Sequence, residues 1–267
     1  MTHTRLLMTS VMLGAFAMTA SANSRDETPI FSERTITDGT ASYRYRVFIP
    51  AKWTAKKKWP VILFLHGAGE RGDDNTAQTR IGIGPALERQ KETLQAVVVL
   101  PQCPSGRWWS EPEMQARALK ALDQSMTEFN GDGSRTYLTG LSMGGYGSWA
   151  VAVNNPARFA AISVICGGVR APTRAGRLPN PLDVGDDSYR LAAEKIGKLP
   201  IWLFHGSADP VVPVSESRKM VEAFKSLGVT VRYSEYEGVS HNSWDRAYAE
   251  PEIFRWMLAQ KRKAAKR

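Results

Sequence analysis

The segment GLSMG, residues 140–144, places a serine between two glycines. The apolar run before it is typical of a buried strand, and the residues after it are typical of a helix that ends before Pro156. A sharp strand-to-helix turn holds a serine hydroxyl out from the backbone, where it can attack a substrate. Glycine is needed on both sides of Ser142 because a side chain there would clash within the turn. The pattern is short enough to occur by chance, so it predicts a nucleophile only if a base and an acid accompany it.

Beyond its first residues the chain has three histidines that could take the proton of that serine: His66, His205 and His241. Hydrolases with a serine in this setting place the acid after the serine and the histidine after the acid. His241, in the loop sequence GVSHNSWD, meets this order with Asp209 of HGSADPVVP as the acid. The sequence therefore predicts Ser142 as nucleophile, Asp209 as acid and His241 as base.

Other assignments remain open at this point. His66 precedes the serine and is interpreted as a structural residue that shapes its loop. Asp245 is a second candidate acid, but it follows His241 in the chain and fits a surface or helix-capping role better. His205 would need an acid from the irregular segment before it, where the candidates are Asp183, Asp186 and Asp187.

Acyl transfer also requires donors for the negative charge that develops on the carbonyl oxygen. The residue after the nucleophile supplies one backbone N–H, that of Met143. The loop HGAGERGDDN should supply the other, with Ala68 as the first choice and Gly67 as the second, because its glycines allow the backbone to approach a substrate closely. This loop lacks the lysine-containing pattern of a phosphate-binding loop, which disfavours a nucleotide site.

The segments that would position these residues alternate between strands and helices. Short, nearly continuous apolar runs are typical of parallel strands buried on both faces. ASYRYRVFIP instead alternates apolar and polar residues, which predicts a half-exposed edge strand. Amphipathic segments between the runs predict helices. The alternation predicts an α/β fold with a mostly parallel sheet covered by helices on both faces. The apolar runs are WPVILFLHG, QAVVVLPQ, RTYLTGLS, FAAISVICGG and LPIWLFHG, and the helical segments are EPEMQARALKALDQSMTEFN, VSESRKMVEAFKSLG and EPEIFRWMLAQ.

The start of the chain predicts export. Residues 1–22 combine an early positive charge, an apolar run too short for a comfortable membrane span, and a small-residue cleavage pattern, as in a secretory signal peptide. We expect one domain over residues 23–260 and a basic, disordered tail at 261–267, in a protein of the periplasm or the extracellular space. The net charge of +9 comes without any nucleic-acid-binding motif, so nucleic acid is not an expected partner.

Five segments, in chain order, carry a resemblance to a known family: LHGAGERGDDN, PQCPSGRWW, TGLSMGGYGSW, FHGSADPVVPVSES and GVSHNSWDRAY. Together they resemble the α/β-hydrolase superfamily and, more narrowly, its secreted esterases of the dienelactone hydrolase, feruloyl esterase and polyhydroxybutyrate depolymerase-like group. Members are often described as phospholipase/carboxylesterase-like or as predicted peptidases. The resemblance implies an α/β-hydrolase fold with a nucleophile elbow after the central strand.

For the reaction, the resemblance implies ester hydrolysis through an acyl-enzyme formed on Ser142, with Asp209 and His241 completing the triad. The N–H groups of Ala68 and Met143 would form the oxyanion hole, and no cofactor or metal is implied. Dienelactone hydrolases proper have a cysteine nucleophile. The serine of this chain therefore favours ordinary ester hydrolysis.

The substrate is indicated only by loop residues. Trp108, Trp109 and Trp244 lie at the expected carboxyl ends of strands, where ligands bind in open α/β sheets. They suggest an aromatic or sugar-bearing ester, such as a feruloylated or acetylated polysaccharide, although a packing role fits each equally well. Glu70 and Arg71 fit either a loop ion pair, which we favour, or substrate contacts.

Two alternative functions remain. One is a serine peptidase of the prolyl-oligopeptidase type, whose usual propeller domain would not fit in a chain of this length. The other is a non-catalytic binding protein on the same fold, which is disfavoured because every member of the triad is present.

The resemblance also bears on Cys103 and Cys166. In the family's strand order the strands before them are separated by two others, a distance of about 14 Å at about 4.8 Å per strand. A disulfide needs Cα atoms within about 7 Å. We therefore expect two unpaired thiols.

Overall fold

The computed structural model describes residues 30–38, 41–170, 185 and 187–262. The expected signal peptide, residues 1–22, lies outside these ranges, as do Asp183, Asp186 and residues 263–267 of the expected tail.

The buried apolar runs form the strands of one sheet, with eight strands in the described part of the chain. Its order is β1-β2-β4-β3-β5-β6-β7-β8. The six strands from β4 to β8 in this order run parallel, whereas β1 and β2 are antiparallel to their neighbours. This topology confirms the predicted α/β-hydrolase fold. The strands are β1 (Phe31–Asp38), β2 (Ala41–Phe48), β3 (Trp59–Leu65), β4 (Val97–Pro101), β5 (Gly131–Leu141), β6 (Ala161–Ile165), β7 (Ile201–Gly206) and β8 (Arg232–Tyr236).

The alternating segment ASYRYRVFIP forms β2, which is not the edge strand that its pattern predicted. It pairs with β1 on one side and with β4 on the other. The prediction was wrong because alternation shows that one face of a strand meets solvent, and says nothing about how many neighbours the strand has. The strand at this edge of the sheet is β1, which was not predicted from the sequence.

Helices cover both faces of this sheet, as predicted. One core lies between the sheet and α2 to α5, and the other lies between the sheet and α1, α6 and α7. Among the described residues, none of these helices is long and apolar enough to cross a membrane. The helices are α1 (Ile83–Arg89), α2 (Pro112–Glu128), α3 (Met143–Asn154), α4 (Ser188–Ile196), α5 (Ser215–Ser226), α6 (Trp244–Ala247) and α7 (Ile253–Ala259).

The first two residues of the expected tail belong to the folded domain. The backbone N–H of Arg262 donates to the Ser134 carbonyl at 2.8 Å, and its guanidinium donates to the Ala157 carbonyl at 2.8 Å. The predicted boundary at residue 260 is therefore two residues too early.

Candidate active site

Ser142 is the single residue between β5 and α3, and its backbone is strained. Its φ of 51° and ψ of −117° are unusual for a residue with a side chain and cost about 1–3 kcal/mol. The turn is fixed because the Ser142 N–H donates to the Ile165 carbonyl at 3.0 Å. A Cβ on Gly140 would collide with the Gly144 carbonyl, and one on Gly144 would collide with the Leu65 carbonyl. Both glycines of the GLSMG segment are thus required by close backbone contacts.

The structure brings the three predicted triad residues together. The Ser142 Oγ lies 2.9 Å from Nε2 of His241, and Nδ1 of the same ring lies 2.7 Å from Oδ2 of Asp209. Asp209 follows β7 and His241 follows β8, so the carboxyl ends of β5, β7 and β8 position all three side chains. Trp244 stands edge-on to the His241 ring at 5.3 Å between centroids.

The carboxylate of Asp209 is fully buried but accepts several hydrogen bonds. Its Oδ1 accepts the N–H groups of Val211 and Val212 at 2.8 and 2.9 Å, and its Oδ2 lies 3.3 Å from Nε2 of His205 as well as facing His241. Burial by itself raises the pKa of Asp209. The hydrogen bonds from His205, His241 and the two N–H groups outweigh that effect and hold the pKa well below its usual range. The group therefore stays ionised beside His241.

His205 does not reach the serine. Its Nε2 lies 3.0 Å from the Val212 carbonyl and faces Asp209, and its Nδ1 lies 2.7 Å from the Ser217 Oγ on α5. Both ring nitrogens are engaged in the protein interior, so the alternative with His205 as the base does not fit the structure. Sequence reasoning did not find that His205 contacts Asp209. The only signal was the spacing of the two residues, four apart after a buried strand.

The other candidate acids that the structure describes lie on the surface. Asp187, at the start of α4, pairs with Arg190 at 3.2 Å. Asp245, in the first turn of α6, is exposed and accepts a hydrogen bond from the Asn242 side chain at 3.2 Å. Neither carboxylate is bonded to His241.

The loop of residues 66–75, hereafter the glycine loop, runs beside the serine. A Cβ built on Gly67 would stand 3.7 Å from the Ser142 Cβ, so the backbone there passes next to the hydroxyl. Ala68 begins a one-turn 3₁₀ helix, and Met143 begins α3. Within the described ranges no backbone carbonyl accepts the N–H of either residue. Both predicted oxyanion donors therefore lack a backbone acceptor among the residues described.

His66 has the structural role expected for it. The Gly67 carbonyl lies 2.7 Å from its Nδ1, and the Cys103 N–H donates to its Nε2 at 2.9 Å. Since the carbonyl can only accept and the N–H can only donate, the neutral ring carries its proton on Nδ1. Burial lowers the pKa of His66 to about 4. The ring therefore joins the ends of β3 and β4 as an uncharged group.

The three loop tryptophans have different environments. Trp109 is only 1% exposed, and its indole N–H donates to the His66 carbonyl at 3.0 Å, so it packs beneath the glycine loop. This corrects the prediction that Trp109 contacts substrate. Trp108 and Trp244 are half-buried, and each keeps part of its ring accessible.

The favoured ion pair between Glu70 and Arg71 is not formed. The Glu70 side chain is buried and faces the backbone N–H groups of Gly67 and of Glu70 itself. Burial raises the pKa of Glu70, and these hydrogen bonds offset that effect only in part. Arg71 turns the other way, donating from Nε to the Ala68 carbonyl at 2.9 Å and lying over the Trp108 ring at 5.1 Å.

Gln102, which follows β4, ties the glycine loop to the sheet and was missed by sequence reasoning. Its Nε2 donates to the Glu70 carbonyl at 3.0 Å and to Oδ1 of Asp74 at 2.7 Å, while its Oε1 accepts the Asn75 N–H at 2.7 Å. A single glutamine after a strand carries no sequence signal for such a role.

Within the described ranges, one group of side chains offers donor atoms of the kinds that zinc binds. The Cys166 sulfur, an Asp209 oxygen and a His241 nitrogen lie within 4.8 Å of one another. His241 and Asp209 are already hydrogen-bonded to each other at 2.7 Å, and burial raises the pKa of the Cys166 thiol to about 12. Because metal ligands must be deprotonated, this chemistry fits a hydrogen-bonded triad better than a metal centre.

Comparison with known proteins gives relatives consistent with this site. The chain is 27% identical over 222 residues to "Probable feruloyl esterase C" of Aspergillus terreus, covering 82% of this chain and 74% of that protein. A solved thermostable esterase superposes with a TM-score of 0.74 and 35% identity, covering 87% of this chain. The match covers 64% of that esterase, so the chain spans less than two thirds of its length.

The same fold also occurs among peptidases. The acylaminoacyl peptidase of Pyrococcus horikoshii superposes with a TM-score of 0.65 and 17% identity, covering 90% of this chain and 43% of that one. At this identity the likeness shows the fold alone.

A family relationship is shown by the segment that contains the candidate site. Residues 115–251, about half of the chain, match the family described as Phospholipase/Carboxylesterase, and the match includes Ser142, Asp209 and His241. The chain therefore belongs to the Phospholipase/Carboxylesterase family, a family of carboxylic ester hydrolases on the α/β-hydrolase fold.

Proposed function

We propose that the protein is a serine esterase that cleaves carboxylic esters through a covalent acyl-enzyme. The observation that carries the proposal is the continuous hydrogen-bonded chain from Ser142 through His241 to Asp209, with bonds of 2.9 and 2.7 Å. A serine hydroxyl is a weak nucleophile until a base takes its proton, and this geometry supplies the base.

In the proposed reaction, Nε2 of His241 takes the Ser142 proton as Oγ attacks the ester carbonyl. Asp209, ionised and fully buried, accepts a hydrogen bond from the N–H at Nδ1, which fixes the ring tautomer and stabilises the charged imidazole. His241 then gives its proton to the leaving alcohol. Water attacks the acyl-enzyme by the same steps and regenerates Ser142.

The N–H groups of Ala68 and Met143 are the proposed donors to the oxyanion. Support comes from their position beside Ser142 and from the absence of a backbone acceptor for either group among the residues described. Donors held in this way stabilise charge that develops in the transition state, and loss of one such donor costs about 10²- to 10³-fold in rate.

We propose short-chain, acetyl or feruloyl esters, free or attached to a polysaccharide, as the substrates. The relative in Aspergillus terreus is named as a feruloyl esterase, and two half-buried tryptophans contact residues of this region, Trp244 at the His241 ring and Trp108 at Arg71 of the glycine loop. Aromatic side chains of this kind suit aromatic acids and sugar rings.

The test compares the purified protein with Ser142→Ala on three substrates: a short-chain 4-nitrophenyl ester, a feruloyl ester and a prolyl anilide. We expect ester turnover, and a loss of kcat of at least about 10⁴-fold in Ser142→Ala, because the nucleophile is gone. Ester turnover that survives the substitution would contradict the mechanism. Turnover of the anilide alone would favour the peptidase, and turnover of no substrate would favour a binding protein.

We further propose that residues 1–22 direct export, on the basis of their signal-peptide pattern. Expression of the full chain in a bacterium, followed by fractionation and N-terminal sequencing, should give a protein outside the cytoplasm that begins at Asn23. An intact N-terminus in the cytoplasmic fraction would reject export.

A further inference from the structure

The guanidinium of Arg71 is held in a defined position at the edge of the candidate site. Its Nε donates to the Ala68 carbonyl at 2.9 Å, and its Cζ lies 5.1 Å from the centre of the Trp108 ring. Both side chains are half-buried. One hydrogen bond and one cation–π contact thus fix the guanidinium and leave its two terminal NH₂ groups for another partner.

No carboxylate neutralises this charge within the described part of the chain. The neighbouring Glu70 is buried, with a carboxylate oxygen beside Gly67, and forms no ion pair with Arg71. The two acids that follow Trp108, Glu111 before α2 and Glu113 in its first turn, are both paired with Arg107 at 2.6 Å. Arg71 therefore differs from most arginines of the surface, which have acidic partners.

Arg71 is connected to the proposed oxyanion hole through its hydrogen bond to Ala68. It is bonded to the carbonyl of Ala68, the residue whose N–H is a proposed oxyanion donor, and the adjacent Gly67 passes next to Ser142. A substrate whose carbonyl oxygen occupies the oxyanion hole would extend past the glycine loop with its remaining atoms near the guanidinium.

We propose that Arg71 and Trp108 form a binding subsite for a carboxylate carried by the substrate. This proposal rests on the proposed esterase function. A planar guanidinium binds a carboxylate through two parallel N–H bonds, and the contacts with the Ala68 carbonyl and the Trp108 ring hold the group in place before the ligand arrives. One uncompensated positive charge matches a monoanion better than a phosphate dianion. The substrate class is thus an ester with a free carboxylate on its acyl part or on its alcohol part.

The experiment uses two pairs of substrates that differ by one charge. For the acyl side the pair is mono-4-nitrophenyl adipate and its methyl ester, with nitrophenolate release as the readout. For the alcohol side the pair is 4-butanoyloxybenzoate and its methyl ester, with release of the hydroxybenzoate product as the readout. The measured quantity is the ratio of kcat/KM for the charged member to that for the neutral member.

We expect a wild-type ratio of about 10 to 100 in at least one pair, because hydrogen bonds between charged groups are stronger than those between neutral groups. In Arg71→Gln this ratio should fall at least about tenfold. Arg71→Lys keeps the charge without the two-pronged geometry and should give an intermediate ratio. The ratio is informative even if the substitution also disturbs the Ala68 carbonyl, because both members of a pair share that effect.

Arg80→Gln is the matched control. It removes the same charge from an exposed arginine on the loop that follows the glycine loop, so the ratio should stay within about twofold of wild type. Equal ratios in wild type and Arg71→Gln for both pairs, with normal ester turnover, would overturn the subsite and leave the esterase intact. A fall in Arg80→Gln as large as that in Arg71→Gln would also overturn it, since the effect would then be long-range charge. Absence of turnover with all four esters would instead count against the esterase function.

Discussion

His66 lies buried at the carboxyl end of β3, with both ring nitrogens bonded to backbone atoms. In the folded protein its pKa is lowered to about 4, whereas an unfolded chain has a histidine pKa of about 6.5. As the pH falls below about 6.5, the unfolded chain therefore takes up a proton that the folded protein does not. The stability linked to His66 is complete above pH 6.5 and is lost between about pH 6.5 and 4, by roughly 3 kcal/mol at about 1.4 kcal/mol per pKa unit.

This linkage predicts how the free energy of unfolding depends on pH. Between pH 7 and 5, urea unfolding of the wild-type protein should show a decline of about 2 kcal/mol from this residue, and His66→Gln should remove most of that decline. His241→Gln, which replaces the half-buried histidine of the candidate site, should retain it. Equal pH slopes in wild type and His66→Gln would show that the ring is not held neutral by burial.

At the scale of single residues, the sequence predicts that Ser142, Asp209 and His241 act together because their order along the chain is distinctive, and their side chains are hydrogen-bonded in the structure. The sequence could not distinguish the role of Trp108 from that of Trp109, because two adjacent loop residues of the same type differ only in their contacts in the folded protein. The Trp109 indole N–H donates to the His66 carbonyl and the side chain is buried, whereas Trp108 contacts Arg71 and is half-buried.

Among the elements, the glycine loop depends on the end of β4. Its own residues form one short 3₁₀ turn at Ala68–Glu70, which is too small to be stable alone. Gln102 supplies three hydrogen bonds that connect this turn and the following residues to the sheet. The position of the Ala68 N–H relative to Ser142 is therefore determined partly by a side chain that does not contact either residue.

Gln102→Ala should accordingly lower kcat for ester hydrolysis by about tenfold, because an oxyanion donor that moves away from its position loses much of its value in the transition state. KM should change less, since the tryptophans of the site remain. The control is Gln124→Ala, which removes one hydrogen bond from α2 to the Thr35 carbonyl on the edge strand β1 and should leave kcat within twofold. A Gln102→Ala enzyme with wild-type kcat would show that the loop holds its own shape.

The strands illustrate what periodicity can establish. Continuous apolar runs predicted the buried parallel strands β3 to β7 because burial on both faces removes any alternation. The pairing of β2 between β1 and β4 could not be predicted, since it depends on backbone hydrogen bonds that every residue can form.

For the whole molecule, the sheet separates the two cysteines. Cys103 lies in the core beneath α2 to α5, and Cys166 lies in the core on the opposite face. The strands before them, β4 and β6, are separated by β3 and β5. Both thiols are free and buried, which confirms the expectation from the strand order. Burial raises the pKa of each thiol to about 12, so we expect neither thiol to react in the folded protein.

In an oxidising compartment, the two thiols would be protected from oxidation by their burial in the folded protein, because they form no disulfide. Titration with a thiol reagent should find no rapidly reacting group in the native protein and two in guanidinium chloride, and a reductant should not change the melting temperature.

Refolding with oxidised glutathione present should lower the yield of active enzyme, because a Cys103–Cys166 bond formed in the unfolded chain cannot be accommodated across the sheet. Cys103→Ala should restore that yield. Two thiols that stay unreactive in denaturant until reductant is added would instead reveal a native disulfide and contradict the fold.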